Sequence, residues 1–176
     1  GACLGGGGGG GDASSRVAVV QRLYYLGEGA VRSICHYETD INSMLVTATL
    51  RWRVHGHDLR ARSEAWCMRV PPETGFVTTA ATCPGNFAIV VGTERGFLCV
   101  WDVRFQLLVA VWRHSSQSAV RSIVPYVLPR APHALAALVA CGEEEAAAWN
   151  LESGECLHVL RALSEAVAEV DARRAP

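Results

Sequence analysis

The segment FLCVWDVRFQL, residues 97–107, carries the pattern from which the fold can be predicted. Its first five residues form an apolar run of strand length that ends at Trp101 and is followed at once by Asp102. A strand that lies between two neighbouring sheets can be buried on both faces, with the Trp101 ring packed on the next sheet and its N–H bonded to a partner. The carboxylate of Asp102 can accept backbone N–H bonds in the turn that follows. The triplet Arg104-Phe105-Gln106 is not explained by this pattern.

The pattern belongs to an internal repeat. The segment AVRSIC at 30–35 returns as AVRSIV at 119–124. The pairs His57-Asp58, Trp101-Asp102 and Trp149-Asn150 follow one another at intervals of 44 and 48 residues. A period of 40 to 48 residues with several short apolar runs in each unit is typical of propeller blades of about four strands.

The sequence therefore predicts an all-β fold, a WD40-type β-propeller of which the chain holds about three four-stranded blades. Repeats occupy 17–161, with blades near 29–70, 76–112 and 119–161. Twelve strands are predicted, near 30–37, 43–49, 52–58, 64–70, 76–82, 87–92, 97–103, 107–112, 119–126, 134–141, 145–150 and 156–161.

Three positions depart from the pattern, two of them in the first blade. There, His57 stands where the other units have Trp. In the third blade, Asn150 replaces Asp and keeps its side-chain acceptor. The hairpin GTERG at 92–96 puts Gly96 where a tight turn requires a positive φ, whereas Trp52 occupies the matching place in the first unit. Either the first hairpin is longer or the Trp52 ring is an exposed contact, and variable loop lengths favour the longer hairpin.

Both ends of the chain differ in composition from the repeats. Residues 1–16, GACLGGGGGGGDASSR, are expected to be a flexible glycine-rich linker. Residues 162–176 change to helical spacing, which predicts a short C-terminal helical tail. Closed propellers have at least about four blades, so we expect the remaining blades to lie upstream in a longer product, or the gene model to be incomplete.

Composition and spacing exclude several classes of function. A net charge of −1 argues against a nucleic-acid surface, and no apolar run reaches the roughly 18 to 20 residues of a membrane-spanning helix. Seven cysteines without a CxxC pair indicate reduced core thiols, and no cofactor is expected. His55 and His57 face the same way on a strand, but no further ligand has suitable spacing, so no metal site is predicted. The chain has neither the strand lysine nor the Gly-rich and HRD-type loops of a protein kinase, so no protein-kinase site is predicted. It also shows no local motif of a Ser-His-Asp or Cys-His site, so no catalytic residue is predicted.

At TLRWRVHGHDLR and GTERGFLCVWDVRFQL the sequence resembles a known family, the vacuolar-protein-sorting scaffold serine/threonine kinases that form the regulatory subunit of the class III phosphatidylinositol 3-kinase complex. The resemblance is to their C-terminal WD40 propeller and is best over 43–110. The second motif matches at Gly92, Thr93, Gly96, Trp101, Asp102, Arg104, Phe105, Gln106 and Leu107, and the first at Thr49, Leu50, Arg51, His55, Gly56, Asp58, Leu59 and Arg60. His57, Trp52 and Leu108 depart from the family pattern.

The resemblance implies a scaffold that holds a lipid kinase catalytic subunit and a coiled-coil autophagy subunit, in the cytoplasm and peripherally on endosomal and autophagic membranes. It implies no nucleic-acid partner and only indirect membrane contact. The kinase or pseudokinase domain of the family is not in this chain. Two other interpretations stay open: a generic WD40 adaptor, such as a ubiquitin-ligase substrate receptor, and a fragment of an active protein kinase.

The triplet Arg104-Phe105-Gln106 is the candidate contact site, because the repeat alone does not require it. Within it, Phe105 is expected to fill a gap between blades while Arg104 and Gln106 face outward.

Overall fold

The computed structural model describes residues 22–142 and 145–161. Those residues form twelve β-strands in three four-stranded antiparallel sheets, with two short 3₁₀ turns at Pro72–Thr74 and Pro84–Asn86. The strands are β1 (Val31–Glu38), β2 (Ser43–Thr49), β3 (Arg53–Asp58), β4 (Ser63–Arg69), β5 (Val77–Cys83), β6 (Ala88–Thr93), β7 (Phe97–Asp102), β8 (Leu107–Arg113), β9 (Val120–Leu128), β10 (Ala131–Cys141), β11 (Glu145–Asn150) and β12 (Glu155–Arg161).

This architecture confirms the predicted fold class. Each sheet is a simple meander, in the order β1-β2-β3-β4, β5-β6-β7-β8 and β9-β10-β11-β12, and we call these sheets blades 1, 2 and 3. Every strand lies within three residues of its predicted position at either end. The predicted linker at 1–16 and the predicted tail at 162–176 lie outside the described residues. No helix that could span a membrane occurs in the part of the chain that the structure describes.

The blades pack face to face through alternate residues of β7. Cys99 and Trp101 point into a core shared with blade 1, whereas Leu98 and Val100 point into a core shared with blade 3. All four are at most 3% exposed, so this strand is buried on both faces. Burial of each large apolar side chain contributes about 1.5–3 kcal/mol, which makes the two inter-blade cores the main source of stability.

The hairpin between β2 and β3 corrects one prediction. It has three residues, 50–52, as does the hairpin 94–96 of blade 2, so the expected longer loop is wrong. Trp52 adopts a φ of +64° at the place where Gly96 has +77°. A non-glycine residue in this region costs about 1–2 kcal/mol. The Trp52 ring offsets that cost because it stacks on Phe76 with centroids 5.6 Å apart, and its Nε1 donates to the carbonyl of Gly75 at 3.0 Å.

Candidate functional site

The turn that follows the third strand of each blade has the same construction. The backbone N–H of Arg60 donates to Asp58 Oδ1 at 2.7 Å, and that of Arg104 donates to Asp102 Oδ1 at 2.9 Å. In blade 3 the acceptor is Asn150 Oδ1, 3.0 Å from the nitrogen of Glu152. The side-chain acceptor at the strand end therefore fixes this turn in all three blades.

Each turn closes through a residue with a positive φ immediately before the fourth strand. The φ angles are +54° at Arg62, +54° at Gln106 and +71° at Gly154. Gly154 also lies under the ring of Trp112, where an added Cβ would be 2.6 Å from Cε3. Blade 3 thus requires glycine for space, whereas Gln106 of blade 2 is exposed and accepts the strained backbone.

The sequence prediction for Phe105 is wrong. Its side chain does not fill a gap between blades but is 67% exposed. The gap is filled by Val103, which is 8% exposed, belongs to the core between blades 1 and 2, and donates its backbone N–H to Phe87 O at 2.8 Å. Because the turn reverses the chain after Val103, the next three residues point away from the core. Arg104 and Gln106 are exposed, as expected.

Arg104 lies between two aromatic rings on this surface. Its guanidinium carbon is 4.6 Å from the centroid of Phe87 and 5.4 Å from that of Phe105. Its Nη2 also pairs with Asp102 Oδ2 at 2.6 Å. That side-chain hydrogen bond, with the backbone N–H of Arg104, holds the pKa of Asp102 below its usual range despite opposing desolvation. We call Phe87, Arg104 and Phe105 the Arg104 patch.

A groove of about 530 Å³ between blades 1 and 2 adjoins the Arg104 patch. Phe87 and Arg104 form part of its wall, and Tyr37, Ile41, Met44, Trp66 and Val103 are among its other lining residues. Thr39, Asp40 and Asn42 complete the lining, so one side of the groove is polar and the rest of its wall is mostly apolar. Such a groove suits an aromatic or aliphatic side chain of a partner.

The face of blade 1 that points away from blade 2 is polar. His55 and His57 are 5% and 6% exposed there, and the hydroxyl of Tyr25 lies 2.8 Å from His57 Nε2. Burial lowers the pKa of His57, against the opposing effect of Glu64. Sequence spacing indicated no third ligand beside the histidines, but antiparallel pairing of β3 with β4 sets Glu64 opposite His57. Potential donor atoms of His55, His57 and Glu64 all lie within 4.8 Å of one another.

Trp149, the Trp of the repeat in blade 3, lacks, among the described residues, the hydrogen bond that its indole N–H was expected to make. Trp149 is 5% exposed and packs against His114 with ring centroids 5.6 Å apart. Its indole N–H is buried without a hydrogen-bond partner among the described residues, so the partner expected for a buried Trp is lacking here. His114 Nε2 is 3.3 Å from Glu145 Oε1, a pair that meets the distance of an ion pair but not the geometry of a hydrogen bond.

Comparison with known proteins bears on the predicted resemblance. The chain is similar to the serine/threonine-protein kinase VPS15 of Arabidopsis thaliana, with 32% identity over 141 residues, which is 76% of the chain and 9% of that protein. It is 28% identical over 116 residues to the probable serine/threonine-protein kinase vps15 of Dictyostelium discoideum, covering 66% of the chain and 6% of the relative. Similarity to the Saccharomyces cerevisiae VPS15 is 26% over 81 residues, 46% of the chain and 6% of that protein.

The chain spans less than a tenth of the length of these curated relatives. No protein-family model matches it. The relatives bear the name of the kinase family that the motifs around Asp58 and Asp102 had indicated, so the predicted resemblance is confirmed.

Proposed function

Because the chain fits a region of the VPS15 serine/threonine-protein kinase family, we propose that it is a scaffold and protein-interaction module of the class III phosphatidylinositol 3-kinase complex. In this role it supports production of phosphatidylinositol 3-phosphate for autophagy and endosomal sorting. Its partners are the lipid kinase catalytic subunit and the coiled-coil autophagy subunit. It works in the cytoplasm and reaches endosomal and autophagic membranes through the complex, and it contributes no catalytic group of its own.

The observation that carries this proposal is the exposure of the Arg104 patch. Phe105 is 67% exposed and Phe87 is 39% exposed, although both are large aromatic side chains. Aromatic residues and arginine are the residue types that most often dominate protein–protein binding energy. Arg104 is already held by Asp102 and by the two rings, so less side-chain freedom is lost when a partner binds.

The test is to measure binding of the purified chain to the purified lipid kinase catalytic subunit and to the coiled-coil subunit. Phe105→Ala should weaken binding at least tenfold and leave the free energy of unfolding within about 0.5 kcal/mol of wild type, because the ring is exposed. The matched control is Leu160→Ala, which removes a 71% exposed apolar side chain from blade 3.

Two outcomes would contradict the proposal. The first is that wild-type chain binds neither subunit. The second is that Phe105→Ala and Leu160→Ala bind both subunits as wild type does, which would remove the Arg104 patch from the interface.

A further inference from the structure

The polar face of blade 1 carries an arrangement that the proposed scaffold function does not use. The carboxylate of Glu28 accepts from Thr49 Oγ1 at 3.0 Å and lies 2.8 Å from His55 Nε2. The other nitrogen of the same ring, Nδ1, is 3.3 Å from Glu64 Oε2. One imidazole, 5% exposed, thus lies between two carboxylates.

When the His55 ring is neutral, its contact with Glu64 places two hydrogen-bond acceptors against each other. If its Nε2–H donates to Glu28, the Nδ1 lone pair points at the oxygen of Glu64, and the two repel. A cation at that point removes the conflict. A metal ion that both atoms coordinate is such a cation.

His57 has a nitrogen without a partner on the same face of blade 1. Its Nε2 is hydrogen-bonded to Tyr25 at 2.8 Å, and the Tyr25 hydroxyl in turn lies 2.7 Å from Thr47 Oγ1. Its Nδ1 is buried without a hydrogen-bond partner among the described residues. A buried polar nitrogen without a partner is unfavourable, and a metal ion held by both rings and Glu64 would give it one.

We propose that His55, His57 and Glu64 form a binding site for a divalent transition-metal ion, with Zn²⁺ as the best-fitting ion. The two rings coordinate through Nδ1, and Glu64 supplies a carboxylate oxygen. Two imidazoles and one carboxylate are a common zinc donor set, and the fourth position of such a set is held by water or by another ligand. Glu28 and Glu64 supply negative charge to the ion, in a cavity that Arg22, Arg53 and Arg62 also line.

The surroundings match the support that zinc-binding histidines usually have. Ligand imidazoles hold their second nitrogen against a carboxylate, carbonyl or polar group, which fixes the ring and its tautomer. Glu28 does this for His55, and Tyr25 does it for His57. Both supporting residues come from the segment before β1, so this segment would be ordered by the same ion.

The required movement is small. Bond lengths of about 2.0–2.1 Å in a tetrahedral site place the donor atoms about 3.4 Å apart. One potential donor atom from each of His55, His57 and Glu64 lies within 4.8 Å of the others, so side-chain shifts of about 1 Å close the site. Glu64 can make this shift readily because its side chain is 46% exposed.

The experiment uses the purified chain, stripped with a chelator and titrated with ZnCl₂ by calorimetry, with bound metal counted by mass spectrometry. CoCl₂ serves as the spectroscopic probe. We expect one ion per chain and a visible Co²⁺ absorption of tetrahedral type without a thiolate charge-transfer band, which would exclude the cysteines as ligands.

Glu64→Gln is the diagnostic variant and Glu38→Gln its control, because Glu38 is also an exposed glutamate near a histidine of blade 1, with 3.7 Å between its Oε2 and His36 Nδ1. We expect Glu64→Gln to weaken Zn²⁺ binding at least tenfold and Glu38→Gln to leave it unchanged. Tyr25→Phe, which removes the support of His57, should weaken binding 10–100-fold. All variants should keep the circular dichroism spectrum of the wild-type chain in the absence of metal.

Three results would overturn the site. They are the absence of saturable one-to-one binding, a Co²⁺ spectrum dominated by thiolate bands, and equal affinity in Glu64→Gln and Glu38→Gln.

Discussion

Gly56→Ala tests how closely the strands of blade 1 pack. Gly56 lies in β3 opposite Trp66 of β4, and the indole ring lies directly on the glycine. A Cβ at position 56 would be 2.2 Å from Cε2, 2.4 Å from Cζ2 and 2.7 Å from Cδ2 of that ring. Since carbon atoms pack at about 3.5–4.0 Å, the ring would have to move by more than about 1 Å.

The magnitude follows from where the ring would go. Trp66 is 7% exposed and belongs to the core between blades 1 and 2, so the displacement is passed to well-packed neighbours. Overpacking of this kind costs about 1–3 kcal/mol, and alanine returns about 0.5–1 kcal/mol because it stiffens the unfolded chain relative to glycine. We expect a net loss of about 1–2 kcal/mol in the free energy of unfolding and a fall in Tm of about 2–8 °C.

Urea denaturation followed by tryptophan fluorescence measures this loss. Gly85→Ala is the matched control, because no atom lies within 4 Å of the Cβ it would add, and its effect should stay within about 0.5 kcal/mol. In a Trp66→Leu background the cost of Gly56→Ala should shrink by at least about 1 kcal/mol, since the ring that causes the clash is gone. A neutral or stabilising Gly56→Ala, or an unchanged cost in that background, would refute the packing described for blade 1.

Three further predictions concern strain, protonation and thiol chemistry. Trp52→Gly should lower the free energy of unfolding by about 1–3 kcal/mol although it relieves a positive φ, because the lost ring stacks on Phe76. Gln106→Gly also relieves a positive φ but removes an exposed side chain, so it should raise the free energy of unfolding by up to about 1 kcal/mol. Denaturation curves of the two variants that move in the same direction would contradict this. Burial lowers the pKa of His114, so the unfolded chain binds more protons than the folded one below about pH 6.5. The stability of the folded chain should therefore fall as the pH drops from about 6.5 towards the pKa of His114 in the folded state. His114→Gln should flatten that slope in thermal melts recorded from pH 5 to 8. Burial raises the pKa of the Cys99 thiol to about 12, whereas Cys156 is exposed. Iodoacetamide should therefore alkylate Cys156 in the folded chain and Cys99 only after unfolding. Early labelling of Cys99, detected by peptide mass spectrometry, would be inconsistent with the burial of β7.

The internal repeat allowed the fold to be predicted from the sequence. Apolar runs with punctuation every 8 to 12 residues located all twelve strands, and the Trp101-Asp102 pair located the third strand of blade 2. These signals are local, because strand periodicity and turn residues are properties of a few neighbouring positions. The acceptor role of Asp58, Asp102 and Asn150 could be inferred for the same reason.

The features that could not be predicted from the sequence depend on contacts between segments that are distant along the chain. The ring of Trp52 stacks on Phe76, and this contact offsets the strain of its positive φ. The variability of hairpin length, on which the predicted longer loop rested, gives no sign of that contact. Phe105 is exposed because Val103 already occupies the gap between blades. Glu64 reaches His57 because the register shifts between Gly56 and His57, an irregularity that no local pattern reveals. In each case tertiary packing, rather than local propensity, decides the outcome.

We propose that these blades belong to a class III phosphatidylinositol 3-kinase scaffold, and affinity purification of the endogenous protein that contains the chain, followed by mass spectrometry of its companions, tests this most directly. We expect the lipid kinase catalytic subunit to be recovered in stoichiometric amounts. We also expect a genomic Phe105→Ala change to reduce its recovery. Recovery of the endogenous protein without the lipid kinase would contradict the scaffold role. Undiminished recovery of the lipid kinase with the Phe105→Ala protein, expressed at the wild-type level, would contradict the role of the Arg104 patch.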